Sequence, residues 1–518
     1  MAWSLFTKAI PAFHFNLLSI ALGFNPKQLI KGFSFQSGLK RFMYCLFIKN
    51  KKEKLQQQTM KKLFFILLTI TTFAQEKSEE LTYLEYLGYV KKFHPMVKSA
   101  NLELSQAQAN LMASRGAFDP KIEVDYNSKQ FKNQDYFSIL NSSFKIPTWY
   151  GIELKASFDN NEGIFINPEN TLPNQGLTSF GIKIPVGQGL LINQRMADLR
   201  KAKIQLQLSQ AERKLQAIVV LYDASIAYFN WKRNYNEVQL YTTYLKNANI
   251  RFNGIQKLIE NGDKPTIDST EAAIIVKSRE LNLEDSKLKL IKSKLELSNF
   301  LWLENNIPLE LQDIIIPEIN LEKTIQETLK TNEIFQENTS IVNHPKINAL
   351  QSKIDILNVE RRLKSNQLLP KLDLEYSYLS EPSALNATNF ENYKVGVNFS
   401  FPLFLRKERG NLKLAQFKVQ NTQLELETEK LQLTNKINSQ QAEINSLLKQ
   451  KELISKLVND YQVMLNSEER LFSFGESSLF LINARENNLV LSQISELALQ
   501  NRYFNSNAEL YRVLANPD

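Results

Sequence analysis

His94-Pro95 is followed, 26 residues on, by Pro120-Lys121-Ile122-Glu123-Val124-Asp125-Tyr126, and His344-Pro345 is followed, also 26 residues on, by Pro370-Lys371-Leu372-Asp373-Leu374-Glu375-Tyr376. The two stretches lie 250 residues apart. Each has a helix-like interval, a proline stop and an alternating run with apolar residues on one side. The spacing predicts the same helix-to-strand unit twice, so the chain is expected to consist of two tandem halves.

Outward from these stretches, proline and glycine mark the long helices. No proline occurs between Pro185 and Pro265, and none between Pro402 and Pro517. Gly262 and Gly475 fall where such tracts would turn, which predicts two helical hairpins. In the second tract, Ile444, Leu447, Ile454, Val458, Tyr461 and Leu465 recur at three- and four-residue steps, with Lys451 the polar intruder. That is a coiled-coil seam, and a helix of about 65–70 residues would be roughly 100 Å long.

The alternating runs predict strands. Leu372, Leu374, Tyr376 and Tyr378 alternate with polar residues, as do Tyr393, Val395, Val397, Phe399 and Phe401. A polar loop, Ser380 to Glu391, separates them. The first half has Ile122, Val124 and Tyr126, then Phe180, Ile182 and Ile184. Such runs suit a membrane barrel. A further run, Ile152, Leu154, Ala156 and Phe158, has no counterpart in the second half and would lengthen a strand or form a hairpin outside the bilayer. The expectation is four transmembrane strands per chain. Four strands enclose nothing, and open edges are forbidden in lipid, so copies of the chain must pool their strands.

The 518-residue chain carries a formal charge of +9. Residues 1–74 hold 11 Lys and Arg against the single acid Glu53, leaving 52 basic and 53 acidic residues in the body. The body therefore offers no electrostatic case for nucleic acid. Met60-Lys61-Lys62, the apolar Leu63 to Phe73 and Thr72-Phe73-Ala74 before Gln75 form a signal peptide, too short to span a bilayer. Met60 is read as the start of translation, with 1–59 a mis-called extension. The other reading is a genuine extension with an anchoring role. Cys45 is the only cysteine, so the exported chain would be free of thiol chemistry.

From these features the chain resembles the TolC family of outer-membrane efflux and secretion ducts, from about residue 78 to the end. The resemblance rests on the duplicated architecture, the signal peptide, the paired His-Pro openings, the proline-ended strand starts and the glycine at each bend. It implies a mixed α/β membrane protein: a homotrimer with a twelve-stranded barrel in the outer membrane and a periplasmic tunnel of coiled-coil hairpins. The division would be 60–74 signal peptide, 75–330 first repeat and 331–518 second repeat. The tunnel would dock on a periplasmic adaptor and an inner-membrane pump of RND or ABC type, as the passive exit duct of a tripartite efflux pump or a type I secretion system. It would be no enzyme and would carry no cofactor.

Lys257, Leu258 and Gly262 match Arg470, Leu471 and Gly475 in spacing. The resemblance implies that such tips contact the adaptor. The bland alternative is a plain helix end, with a cation near the negative dipole end and a glycine stop. Asp268 matches an acid that holds the tunnel's inner aperture closed in the family. With Glu271 it also has capping-box spacing. In the second half Leu481 and Ala484 stand where some members have acids, and Ser477 replaces a basic residue, so Glu476, Arg485 and Glu486 are substitute candidates. His94 and His344 are expected to cap or pack at helix starts, and Gly187-Gln188-Gly189 to ease the barrel-to-tunnel bend. Trp149, Tyr150, Tyr376 and Tyr378 are candidate interface anchors. No HExxH or phosphate-binding loop occurs. The competing reading is an exported coiled-coil structural or adhesin protein whose alternating runs form a soluble sheet.

Overall fold

The computed structural model describes residues 79–329, 341–384 and 391–515. The expected leader, the segment before it and the boundary between the two expected repeats lie outside the described residues. β1 (Glu80–Leu81), α1 (Tyr83–Phe93) and α2 (Pro95–Gly116) open the described chain, followed by β2 (Lys121–Phe131), β3 (Gln134–Pro147), β4 (Glu153–Glu162) and β5 (Leu177–Pro185). The first hairpin is α3 (Gln194–Glu260) with α4 (Thr266–Ser298). β6 (Ile316–Pro317) and α5 (Leu321–Leu329) lead to α6 (Pro345–Asn366), β7 (Lys371–Ser380) and β8 (Tyr393–Ser400). The second hairpin, α7 (Arg406–Ser473) with α8 (Leu479–Leu514), ends the fold. The chain is thus mostly helical with one large sheet.

Both His-Pro stretches open helices of 22 residues, and the histidine is the cap in each. His94 Nδ1 accepts the amide of Met96 at 3.3 Å, and His344 Nδ1 accepts that of Lys346 at 3.1 Å. A neutral imidazole thereby satisfies an amide that the first helical turn leaves without a partner, while proline fills the next position, where no donor is needed. α3 and α7 run for 67 and 68 residues, which makes each about 100 Å long. The seam foreseen on α7 buries Ile444, Leu447 and Leu465. Its polar intruder, Lys451, pairs with Glu322 of α5 and lies 5.6 Å from the Tyr503 ring, so the stem packs while the charge is matched.

The main core gathers where the hairpins, α1, α5 and α6 meet. Tyr83, Tyr86, Tyr228, Phe229, Trp231 and Phe504 are almost wholly buried there. Their hydroxyls are matched: Tyr83 and Ser225 share a 2.8 Å hydrogen bond, and Tyr228 donates to the Leu81 carbonyl at 2.6 Å. β1 and β6 pair in parallel beside this cluster.

The sheet holds two strands more than the four expected to be transmembrane. It has six, in the order β2-β3-β4-β5-β7-β8, all antiparallel. β3 escaped the pattern because Ser138 and Ser142 share a side with Leu140 and Phe144, while Ile139 sits on the other. Its turn from β2 uses Lys132 and Asn133, both at positive φ, in place of the glycine that usually signals a two-residue hairpin. The run around Leu154 is β4 itself. Gly187 settles how the halves of the sheet meet: a Cβ there would lie 2.2 Å from the Pro370 carbonyl oxygen. Val186 and Gln188 donate to Leu372 and Pro370, so the backbones run in contact where the sheet gives way to the helices.

Candidate functional site

Two features stand out: the sheet wall and the hairpin tips. Residues paired across the ladder share a face. Ile122 stands beside Phe144, Phe144 beside Ala156, Ala156 beside Phe180, Phe180 beside Tyr378, and Tyr378 beside Tyr393. One side of all six strands is therefore apolar, and large side chains on it lie open in the single chain, from Ile122 at 77% exposure to Phe399 at 65%. The other side carries Glu123, Lys145, Lys155, Lys183, Asp373 and Lys394, with ion pairs Lys145–Glu123 and Lys183–Asp373, the second at 3.3 Å. A contiguous open apolar band of this extent marks a surface that meets lipid or another chain, and it does not suit a soluble sheet. Among the described residues, no helix is long and apolar enough to cross a membrane.

Of the anchor candidates, Trp149 stacks on Phe118 at 5.5 Å and lies under Arg200, packed at the base of the sheet. Tyr150 is exposed, and Tyr376 stacks with Tyr393 on the apolar face at 6.3 Å.

The two tips share one turn. Gly262 (φ 81°) donates to Ile259 at 3.0 Å, and Asp263 donates to Leu258 at 2.8 Å. Gly475 (φ 78°) donates to Phe472 at 3.0 Å, and Glu476 donates to Leu471 at 3.0 Å. These are paired Schellman closures, in which glycine supplies the left-handed residue. A Cβ at either glycine would meet open space, so backbone angle alone demands it. Lys257 and Arg470 are exposed. The leucines differ: Leu471 is exposed, whereas Leu258 is half-buried against Ile255, Ala272 and Leu479, where the two hairpins meet. Phe474 and Phe480, both more than two-thirds exposed, add apolar surface that the spacing argument missed.

Asp268 is half-buried in the first turn of α4, but Pro265 is the cap residue, with no side-chain cap bond. The capping-box reading of Asp268 is therefore corrected: it sits three residues inside, where a carboxylate still suits the positive helix end. Glu271 reaches instead to the second hairpin and accepts from Asn483 Nδ2 at 3.0 Å. Glu476 is exposed at its turn. Ser477 donates to Glu468, which Arg485 also approaches at 3.6 Å.

Glu486 lies in the most consequential place. It is 1% exposed and bridges two cations of the other hairpin: Arg251 of α3 at 3.1 Å and Arg279 of α4 at 3.3 Å. Arg279 also donates to Asn487 Oδ1 at 2.6 Å, and Arg251 meets Glu469 of α7 at 3.4 Å. All four long helices thus meet in one charge cluster above the tips. A polar cavity of about 590 Å³ opens beside it, lined by Tyr244, Glu469, Glu486 and Gln493. Burial pushes the Tyr244 phenol up to about 12. Arg251 and Arg279 were not foreseen. The available signal was heptad spacing: Ala272, Arg279, Ser286 and Ser293 recur every seven residues on the buried stripe of α4, and one of them is a cation.

A sequence model of the family described as "Outer membrane efflux protein" matches residues 90–301 and 338–516. The search of curated proteins gives no match. Among solved structures, the fold is similar to the CmeC outer membrane channel of Campylobacter jejuni (TM-score 0.58, 14% identity, 83% of this chain and 85% of that one). It is similar to the outer membrane protein VceC of Vibrio cholerae (TM-score 0.59, 14% identity, 83% and 95%). It also resembles the MtrE outer membrane channel of Neisseria gonorrhoeae in its open state (TM-score 0.59, 13% identity, 83% and 88%).

Proposed function

The chain belongs to the outer membrane efflux protein family, and from that premise we propose that it is the exit duct of a tripartite efflux pump or a type I secretion system. It is an outer-membrane protein of the TolC type that extends into the periplasm. Three copies would share one barrel, and their hairpins would form a tunnel ending at the Gly262 and Gly475 tips. The chain would divide as a leader at 60–74 and tandem halves at 75–330 and 331–518. The observation that carries this reading is the open apolar face shared by all six strands, opposite a charged one.

In this reading the duct does no chemistry. A periplasmic adaptor docks on the tips, with Leu471, Phe474 and Phe480 as apolar contacts and Lys257 and Arg470 as cations beside them. An inner-membrane pump supplies the energy. Opening separates the hairpins, so the Glu486 bridge to Arg251 and Arg279 is the joint that must slide or break. Asp268 and Glu476 lie beside the tips, and three Asp268 carboxylates around a closed aperture would favour cations. The test is Leu471→Asp, alone and with Leu258→Asp. Transport should be lost in cells while the oligomer still assembles. Because Leu258 helps pack the tips together, the single variant is the cleaner arm. Unchanged drug sensitivity and unchanged secretion in Leu471→Asp would remove the docking assignment.

A further inference from the structure

We propose that all six strands of each copy cross the membrane, that β2 of one copy pairs with β8 of the next, and that three copies therefore close a barrel of eighteen strands. This rests on the shared-barrel reading above and departs from a four-strand contribution per copy.

The ladder order gives the first argument. β2 joins the sheet only through β3, which pairs with β2 between Gln134 and Lys145 and with β4 over Ser138–Pro147, and β4 pairs with β5 over Glu153–Asp159. Folding β3 and β4 away as a side hairpin would strip β2 of its partner. A four-strand wall cannot be cut from this sheet without rebuilding it.

Side chains give the second. Leu140 and Phe144 of β3 stand level with Tyr126 and Ile122 of β2, and Leu154 and Phe158 of β4 stand level with Ile182 and Thr178 of β5. The inserted pair keeps large apolar residues on the same side of the wall, thinned by Ser138 and Ser142 of β3 and Asn160 of β4, and Lys145, Lys155 and Asp159 continue the polar side. A hairpin outside the bilayer has no reason to keep both faces in register. The two strands, of 14 and 10 residues, are also long enough to span a hydrocarbon core.

Direction gives the third. β2 leaves the helices and β8 returns to them, so the two open edges are antiparallel, and an even strand count closes without a parallel joint. Every residue of β2 is exposed in the single chain, as is nearly all of β8. Unpaired edges cannot stand in lipid. Barrel diameter grows roughly linearly with strand number, so the wall would be about 1.5 times as wide as one of twelve strands.

The experiment uses the full chain in a Cys45→Ser background, purified and placed in lipid vesicles, with oligomeric state read in parallel on unheated gels. Phe144→Cys and Phe158→Cys, carrying bimane, should be quenched by brominated lipid. Asn141→Cys and Asp159→Cys should instead react at least tenfold faster with a charged maleimide. Pairing Asp125→Cys with a scan of single cysteines along β8 should give a trimer joined by disulfides at one register. A trimer in which Phe144→Cys and Phe158→Cys are unquenched and react freely with the charged reagent would overturn the eighteen-strand wall while leaving the shared duct intact. A trimer with no cross-link anywhere along β8 would do the same. A preparation that forms no trimer would remove the duct reading, and this inference with it.

Discussion

Single residues carry the joints of this fold. His94 and His344 cap their helices only while Nδ1 is unprotonated, because that atom accepts a backbone amide. Burial lowers both imidazole pKa values from the ordinary one. The unfolded chain therefore binds protons first as pH falls, and the caps' contribution is full above about 6.5 and lost as pH drops through and below that value. Each cap is worth about 0.5–2 kcal/mol. Thermal unfolding of the double variant His94→Asn and His344→Asn should show a flatter pH profile between neutral and acid than the parent, since asparagine caps without titrating. An equal fall in both proteins would dissociate the histidines from the effect. Gly187→Ala is a steric test: its Cβ would strike the Pro370 carbonyl. A loss of about 1–3 kcal/mol is expected from such overpacking. Gly254→Ala, on an open helix face, should gain about 0.5–1 kcal/mol. Matching melting temperatures for the two variants would contradict the close approach.

At the scale of elements, the helices were legible and the sheet was only partly so. Proline-free tracts, one glycine per bend and a three-four apolar step are local signals, and they placed both hairpins. β3 was hidden because serine occupies positions that a lipid-facing strand usually fills with apolar residues, and because Lys132-Asn133 turns the chain without glycine. The buried cluster was hidden for a different reason. Glu486 could be named from its distance to the tip, but its partners come from α3 and α4, more than 200 positions away, and no local pattern pairs them. Its energetics are testable. Glu486→Gln leaves Arg279, 4% exposed, without its counter-charge, and breaking a buried pair from one side costs about 3–5 kcal/mol. The variant should melt at a lower temperature and, in planar bilayers, spend more time in high-conductance states. A variant as stable as the parent, with an unaltered conductance trace, would remove the cluster from any role in holding the hairpins together.

The whole molecule joins two solvents. About 100 Å of coiled-coil helix, with a wet outer face, carries a sheet whose apolar side lies open in the single chain. Both facts follow from binary pattern, period near 3.5 in one part and 2 in the other. The outer-membrane location was legible in the alternating runs beside two long helical hairpins; the leader-like run and Cys45 lie outside the described residues. The cargo was not legible, because the patterns legible in the sequence concern helix starts, strand faces and hairpin bends, and none of them specifies a ligand. What the fold cannot do alone is close: one copy's six strands leave two raw edges. The most direct measurement is native mass spectrometry of the processed chain after extraction from the outer membrane. Three copies should appear in one detergent-dependent particle, with no stable monomer. A single copy, released by salt and stable in water, would contradict the account.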